Sequence, residues 1–217
     1  MSKKHPIISV TGSSGAGTTT VKTTFDQIFR REGFKSVSIE GDAFHRFDRA
    51  AMKDELTKRK AAGDQTFSHF SYEANELGKL EEVFRTYAET GCGETRHYVH
   101  DDAEAAKYGS APGTFTDWAP FAEGSDVLFY EGLHGAVKNS EVNLSALADL
   151  KIGVVPVINL EWIQKIHRDK AQRGYSTEAV TDVILRRMHA YVHCITPQFT
   201  ETDINFQRVP VVDTSNP

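Results

Sequence analysis
The sequence predicts an α/β fold, a mostly parallel sheet flanked by helices, on three observations. Short apolar runs of strand length alternate with stretches of helical spacing. Each run stops at glycine or a polar residue, and the first passes directly into a glycine-rich turn and a helix start. With 217 residues, 39% of them hydrophobic and 25% charged, the chain can bury a full core as one domain.

The strands are expected at Ile7 to Val10, Val37 to Ile39, Val127 to Tyr130 and Ile152 to Ile158, continuous apolar runs of the kind buried on both faces. Val209 to Val212 is a fifth candidate, which Pro210 confines to an edge or a strand start. Helices are expected over Thr19 to Arg31, Asn75 to Glu89, Leu160 to Gln172 and Glu178 to Cys194. In the last of these, Val180, Val183, Ile184, Met188, Tyr191 and Ile195 recur at steps of three and four, forming one apolar face that ends before Pro197. The stretch Gly91 to Glu123, rich in Gly, Thr, Asp and Tyr, is expected to form irregular loops or a short hairpin over the ligand-binding edge of the sheet. The last residues, Asp213 to Pro217, follow a strand with no closing element, so the expectation is a single domain over 1–217 that lacks a C-terminal portion.

Composition narrows the partners. A net charge of -5 and the absence of a basic block argue against nucleic acid. No apolar run approaches the ~20 residues that span a bilayer, and Met1 to Pro6 lead into the first strand without a signal-peptide core. No membrane association is expected, and the location is read as cytoplasmic. Cys92 and Cys194 stand far apart and in no metal-binding or redox spacing.

The chemistry begins at Gly12-Ser13-Ser14-Gly15-Ala16-Gly17-Thr18-Thr19-Thr20. Glycines let successive backbone N–H groups turn inward on phosphates, and the following helix N-terminus adds partial positive charge. Against the pattern GxxxxGK[ST], Gly12 and Gly17 fit and Thr19 falls where a hydroxyl ligates Mg²⁺. Thr18 stands in place of the lysine, so another cation must reach the β/γ-phosphates of ATP.

In open parallel sheets ligands gather at the carboxyl ends of the strands. After the second run come Asp42, His45 and Arg49, a carboxylate that could accept a hydroxyl proton and two cations that could hold an anionic substrate. A helix-capping Asp42 with His45 and Arg49 on the surface remains the open alternative. After the third run comes Glu131, placed like the acid of a Walker B strand to hold Mg²⁺. On the helix after the fourth run, Lys165, Arg168 and Asp169 share a face and Arg173 follows at its end, so Lys165 or Arg168 could supply the missing charge from a mobile basic lid. Arg186 and Arg187 on the next helix could serve phosphates or a subunit contact, with a solvated face the preferred reading.

With GSSGAGTTT, SIEGDAFHRFDR, FSHFSYEANE, YVHDDAEA, Val127 to Gly132, NLEWIQKIHRDKAQRG and VILRRMHAYVHCITPQF in view, essentially the whole chain resembles the purple-bacterial phosphoribulokinases. These lie in a P-loop kinase family that also holds uridine kinase and pantothenate kinase. The resemblance implies a P-loop NTPase-like fold and an ATP- and Mg²⁺-dependent transfer to the C1 hydroxyl of ribulose 5-phosphate in the Calvin cycle. It implies Asp42 as general base, Thr19 with Glu131 or Asp169 at the metal, and Lys165 and Arg168 at the γ-phosphoryl. His45, Arg49 and Arg173, joined by Tyr98 and His100, would bind the sugar phosphate. Homo-oligomers activated by NADH and inhibited by AMP are implied too, although those relatives are longer than 217 residues. The cysteine pair of the redox-sensitive plant enzymes is absent from the phosphate loop. Two other readings are carried: a nucleoside kinase of the same fold, which would be expected to keep the loop lysine, and a non-catalytic nucleotide-binding protein, which need not keep Asp42.

Overall fold
Ile7–Thr11 (β1) lies between two parallel neighbours, Val127–Gly132 (β5) and Leu150–Pro156 (β6), in a computed structural model that describes residues 4–121 and 123–213, without the side chains of 172 and 173. Ser36–Glu40 (β2) pairs outside β5 and Ile204–Arg208 (β7) outside β6, so five parallel strands run in the order β2-β5-β1-β6-β7. The predicted α/β sheet is the observed one.

Alternation along β5 explains why these strands read as unbroken apolar runs. Leu128 and Tyr130 enter a core with Ile7, Ile39, Phe44, Leu80, Phe84 and Tyr87, while Val127 and Phe129 enter a second core with Val10, Phe29, Ile152 and Val154. The first core is closed by Leu77–Thr90 (α3), the second by Thr18–Glu32 (α1). Each large side chain so buried contributes about 1.5–3 kcal/mol. Both faces being covered, only the carboxyl edge of the sheet is left open to a ligand.

Some boundaries differ from expectation, for local reasons. The edge strand is β7 rather than Val209 to Val212, which are not extended in the sheet: Pro210 has no N–H to donate, whereas residues 204–208 can all pair with β6. Arg49–Ala61 (α2) was not expected, because only Met52 of its 13 residues is buried and its sequence carries almost no apolar stripe. The Gly91 to Glu123 stretch does contain a short hairpin, Glu94–Thr95 (β3) with Ala119–Pro120 (β4), but also the helix Asp102–Tyr108 (α4), capped by the Asp101 side chain. Ile158–Arg173 (α5) and Thr177–Ala190 (α6) fill the expected helical stretches, with residues 191–195 widening into a π turn before Pro197. Among the described residues no helix is long and apolar enough to cross a membrane.

Candidate active site
Register places the carboxyl ends of β1, β2 and β5 level: Val10 and Glu40 both pair with Glu131, and Thr11 pairs with Gly132. The glycine loop leaves β1 here, tied to β5 by the Gly12 N–H donating to the Gly132 carbonyl at 3.2 Å. Gly15 and Gly17 take φ values of 104° and 103°, open to glycine at no steric cost. A Cβ on Gly12 would sit 2.8 Å from Thr18 Cγ2, so the loop is wound tightly on its own helix start. Ser13 Oγ is buried inside the loop, and the side chain near it is the Glu161 carboxyl. A phosphate chain suits such a cradle, which has turned glycine backbone and the start of a 15-residue helix behind it. Ala16 is buried, Ser14 half-buried, and Thr19 and Thr20 are exposed on the first turn of α1.

Asp42 follows β2 in the short 3₁₀ turn Gly41–Phe44 and meets two imidazoles. His45 Nε2 lies 3.2 Å from its Oδ1 and His100 Nε2 lies 3.4 Å from its Oδ2. Burial alone would push the carboxyl up, but His45, His100 and His69 together hold it well below the usual carboxylate range. His45 is itself buried, and Asp42 raises its pKa against the opposing effect of burial. Arg49 opens α2 and donates from Nη2 to the His100 carbonyl at 2.8 Å. Tyr98 stacks edge-on to His100 with centroids 4.9 Å apart, and its half-buried phenol is near Arg49. Asp42, His45, Arg49, Tyr98 and His100 therefore form one cluster from three segments, the turn after β2, the start of α2 and the loop at 98–100. The capping alternative for Asp42 fails, since the cap of α2 is Asp48, accepting from the Ala51 N–H at 2.8 Å.

Glu131 is the penultimate residue of β5, beside the loop. Burial raises its pKa, as do Asp42 and Glu40, while the Thr18 hydroxyl and Lys22 oppose them. Among the described residues no group of three or more carboxylate, imidazole or thiol side chains is gathered for a metal, so Glu131 would offer a hard cation one oxygen ligand beside the hydroxyls of the loop. Asp169 differs: its carboxylate is taken by two cations, Lys165 Nζ at 2.6 Å and Arg168 Nε at 3.0 Å. Of the two acids expected at the metal, Glu131 has the better chemistry.

α5 crosses the glycine loop rather than standing in solvent. Lys165 and Asp169 are buried, and Arg168 Nη2 donates to Ser14 Oγ at 3.0 Å. Burial first, and then Arg187, push the Lys165 ammonium down to about 8, with Asp169 resisting. A small cleft between the loop and the helices is lined by Ser14, Lys165, Arg187 and Tyr191 among others, so Arg187 belongs to this edge and not to a solvated face. The side chain of Arg173 lies outside the described residues.

Sequence reasoning missed several groups here. Arg208, at the end of β7, donates from Nη1 to the Ala16 carbonyl at 2.7 Å and packs where a Cβ of Gly17 would stand. Its signal was an arginine ending an apolar alternation, hidden because the strand was sought five residues later. Asn75, His134 and Gln198 form a buried polar chain behind Asp42, from His45 Nδ1 to Asn75 Oδ1 at 2.8 Å and on to Gln198, which accepts from Thr11 Oγ1 at 3.1 Å. Isolated amides and histidines in loops carry no periodic signal.

Comparison with known proteins agrees with this geometry. Residues 7–215 match the model of the phosphoribulokinase / uridine kinase family. The chain is 82% identical over its full length to phosphoribulokinase 1 of Cereibacter sphaeroides, covering 75% of that protein. Phosphoribulokinase of Nitrobacter vulgaris is 67% identical, again over 100% of this chain and 75% of its own. The solved phosphoribulokinase from Rhodobacter spheroides superposes with a TM-score of 0.88 at 77% identity, over 100% of this chain and 74% of that one. A possible uridine kinase from Bacillus stearothermophilus shares the fold at a TM-score of 0.58 and 16% identity, over 95% of this chain and 90% of its own.

Proposed function
The chain belongs to the phosphoribulokinase / uridine kinase family, and on that basis we propose that it transfers the γ-phosphoryl group of ATP to the C1 hydroxyl of ribulose 5-phosphate. The products are ribulose 1,5-bisphosphate and ADP, which places the chain in the Calvin cycle. Identity of 62–82% over all 217 residues of this chain to proteins named phosphoribulokinase supports this acceptor. The observation that carries it is Asp42, a carboxylate held ionised between His45 and His100 at the sheet edge where the glycine loop begins.

Asp42 takes the proton of the C1 hydroxyl as its oxygen bonds to phosphorus and the bond to the β,γ-bridging oxygen breaks. His45, Arg49, Tyr98 and His100 hold the sugar phosphate, a role the resemblance also extends to Arg173. Residues 12 to 20 cradle the nucleotide phosphates. Lys165 and Arg168 bring positive charge to the transferring group, a role the loop cannot fill with Thr18 in the lysine position. Thr19 and Glu131 would hold Mg²⁺, which neutralises phosphate charge when bound. One kinase domain does all of this, in the cytoplasm. Homo-oligomers with NADH activation and AMP inhibition rest on the resemblance alone.

The test is ADP release from Mg-ATP by the purified chain with ribulose 5-phosphate, with uridine and without acceptor. Release with the sugar phosphate alone is expected. Release with uridine would move the assignment to nucleosides, and silence throughout would return it to a nucleotide-binding protein without chemistry.

A further inference from the structure
Asn75 is 3% exposed, and its amide can face only one way. Nδ2 faces the carbonyls of His69 at 2.9 Å and Ser71 at 2.8 Å and also His134 Nε2 at 3.1 Å, so its two hydrogens are fully engaged. Turned over, the amide would set its oxygen against two carbonyl oxygens in a buried site. Its Oδ1 therefore points at His45 Nδ1, 2.8 Å away, and as an acceptor it requires a proton on that nitrogen.

The other ring nitrogen, Nε2, faces Asp42 Oδ1 at 3.2 Å. A neutral ring with its proton on Nδ1 would turn a lone pair toward a carboxylate. One more proton must lie between the two groups, on the ring or on the acid. Asp42 is partly open to solvent and also meets His100, and a carboxylate is a far weaker base than an imidazole, so the proton stays on the ring. We infer that Asn75 is a positioning residue that fixes His45 as an imidazolium, making Asp42 and His45 a standing ion pair whose cationic half forms part of the site for an anionic substrate. The last clause rests on the function proposed above, whereas the protonation state does not.

The surroundings agree. Facing His45 are Asp42 from the turn after β2, the His69 ring at 4.7 Å, the Tyr98 ring at 6.4 Å, and Arg187 from α6, which opposes its charge. His100 stands on the far oxygen of Asp42, and His134 touches Asn75 Nδ2 at 3.1 Å. His69 and His134 are both held neutral, the second pushed down to about 3 by burial and by His45. Of these three clustered imidazoles one carries a charge, and it is the one with an acid at one nitrogen and an amide oxygen at the other.

The test needs no substrate. ¹⁵N-labelled imidazole spectra of the whole chain, with His45 assigned through His45→Gln, should show both of its nitrogens protonated at pH 7. A singly protonated ring there overturns the inference. Asn75→Leu removes the acceptor and lets His45 take the neutral tautomer that donates to Asp42 from Nε2. In the folded variant the His45 midpoint should fall, and KM for ribulose 5-phosphate should rise severalfold at pH values between the two midpoints while kcat changes less. An unshifted midpoint in a folded Asn75→Leu chain also overturns it. If the imidazolium is seen but no sugar phosphate is phosphorylated, the assigned reaction falls and the role of Asn75 in fixing the proton stands.

Discussion
Arg168 Nη2 lies 3.0 Å from Ser14 Oγ, so the helix bearing the basic side chains is docked on the phosphate loop. That contact makes Arg168 the cation best placed to replace the lysine the loop lacks. Arg168→Ala should lower kcat by about 10²–10³, the size of losing one donor aimed at developing charge. The KM for ATP should move much less. Arg168→Lys should not restore the rate, because an ammonium cannot serve Ser14 and Asp169 together as the guanidinium fork does. Steady-state kinetics with ATP varied decide this, and a loss confined to KM would contradict it.

Asp42→Asn keeps the shape and removes the base. We expect kcat to fall by about 10²–10⁴ while ATP binds as before, since a base acts in the transition state. Calorimetric titration with a non-hydrolysable ATP analogue, set beside turnover, separates the two effects. Lost nucleotide binding would remove Asp42 from the role of base.

How far the site was legible follows from which residues sit at the ends of periodic elements. Gly12 to Thr20, Asp42, Glu131 and Lys165 were found because each stands beside a strand or helix that the hydrophobic pattern locates. Asn75 and Gln198 were not, since a lone buried amide outside the periodic elements looks like any other until its partners are known. Arg208 was lost to a strand placed five residues late. Asp169 was legible as a residue but not as a state: only the folded chain brings Lys165 and Arg168 onto the same carboxylate.

Gly41 and Gly132 let β2 and β5 approach closely beside Asp42. A Cβ on Gly41 would stand 2.8 Å from the Gly132 Cα and 2.6 Å from the Tyr130 hydroxyl, and neither backbone nor a fully buried ring can give way. Gly41→Ala should cost about 1–3 kcal/mol of stability, as overpacking does. It should also move the next residue, Asp42, and a shift of about 1 Å can lower the rate about 10²-fold. Thermal unfolding and kcat together test this, and a variant unchanged in both would show that the strands can part without disturbing the base.

Glu161 supplies a pH dependence of stability that is independent of the reaction. The side chain is 5% exposed on α5 beneath the loop, its Oε2 has no hydrogen-bond partner, and burial pushes its pKa up to about 6 against the opposing effects of Ser13, Tyr191 and Lys165. The folded chain thus holds this proton more tightly than the unfolded chain, where the ordinary value is 4.5. For an acid raised in this way the stability is greatest below the unfolded value, falls as pH climbs from there to about 6, and stays reduced above it. The shift corresponds to about 2 kcal/mol. Glu161→Gln, which cannot ionise, should match the parent chain near pH 4 and exceed it by about 1–2 kcal/mol at pH 8. Urea unfolding at the two pH values measures the difference. Equal stability at pH 8 would mean that Lys165, Ser13 and Tyr191 fully compensate the buried carboxylate.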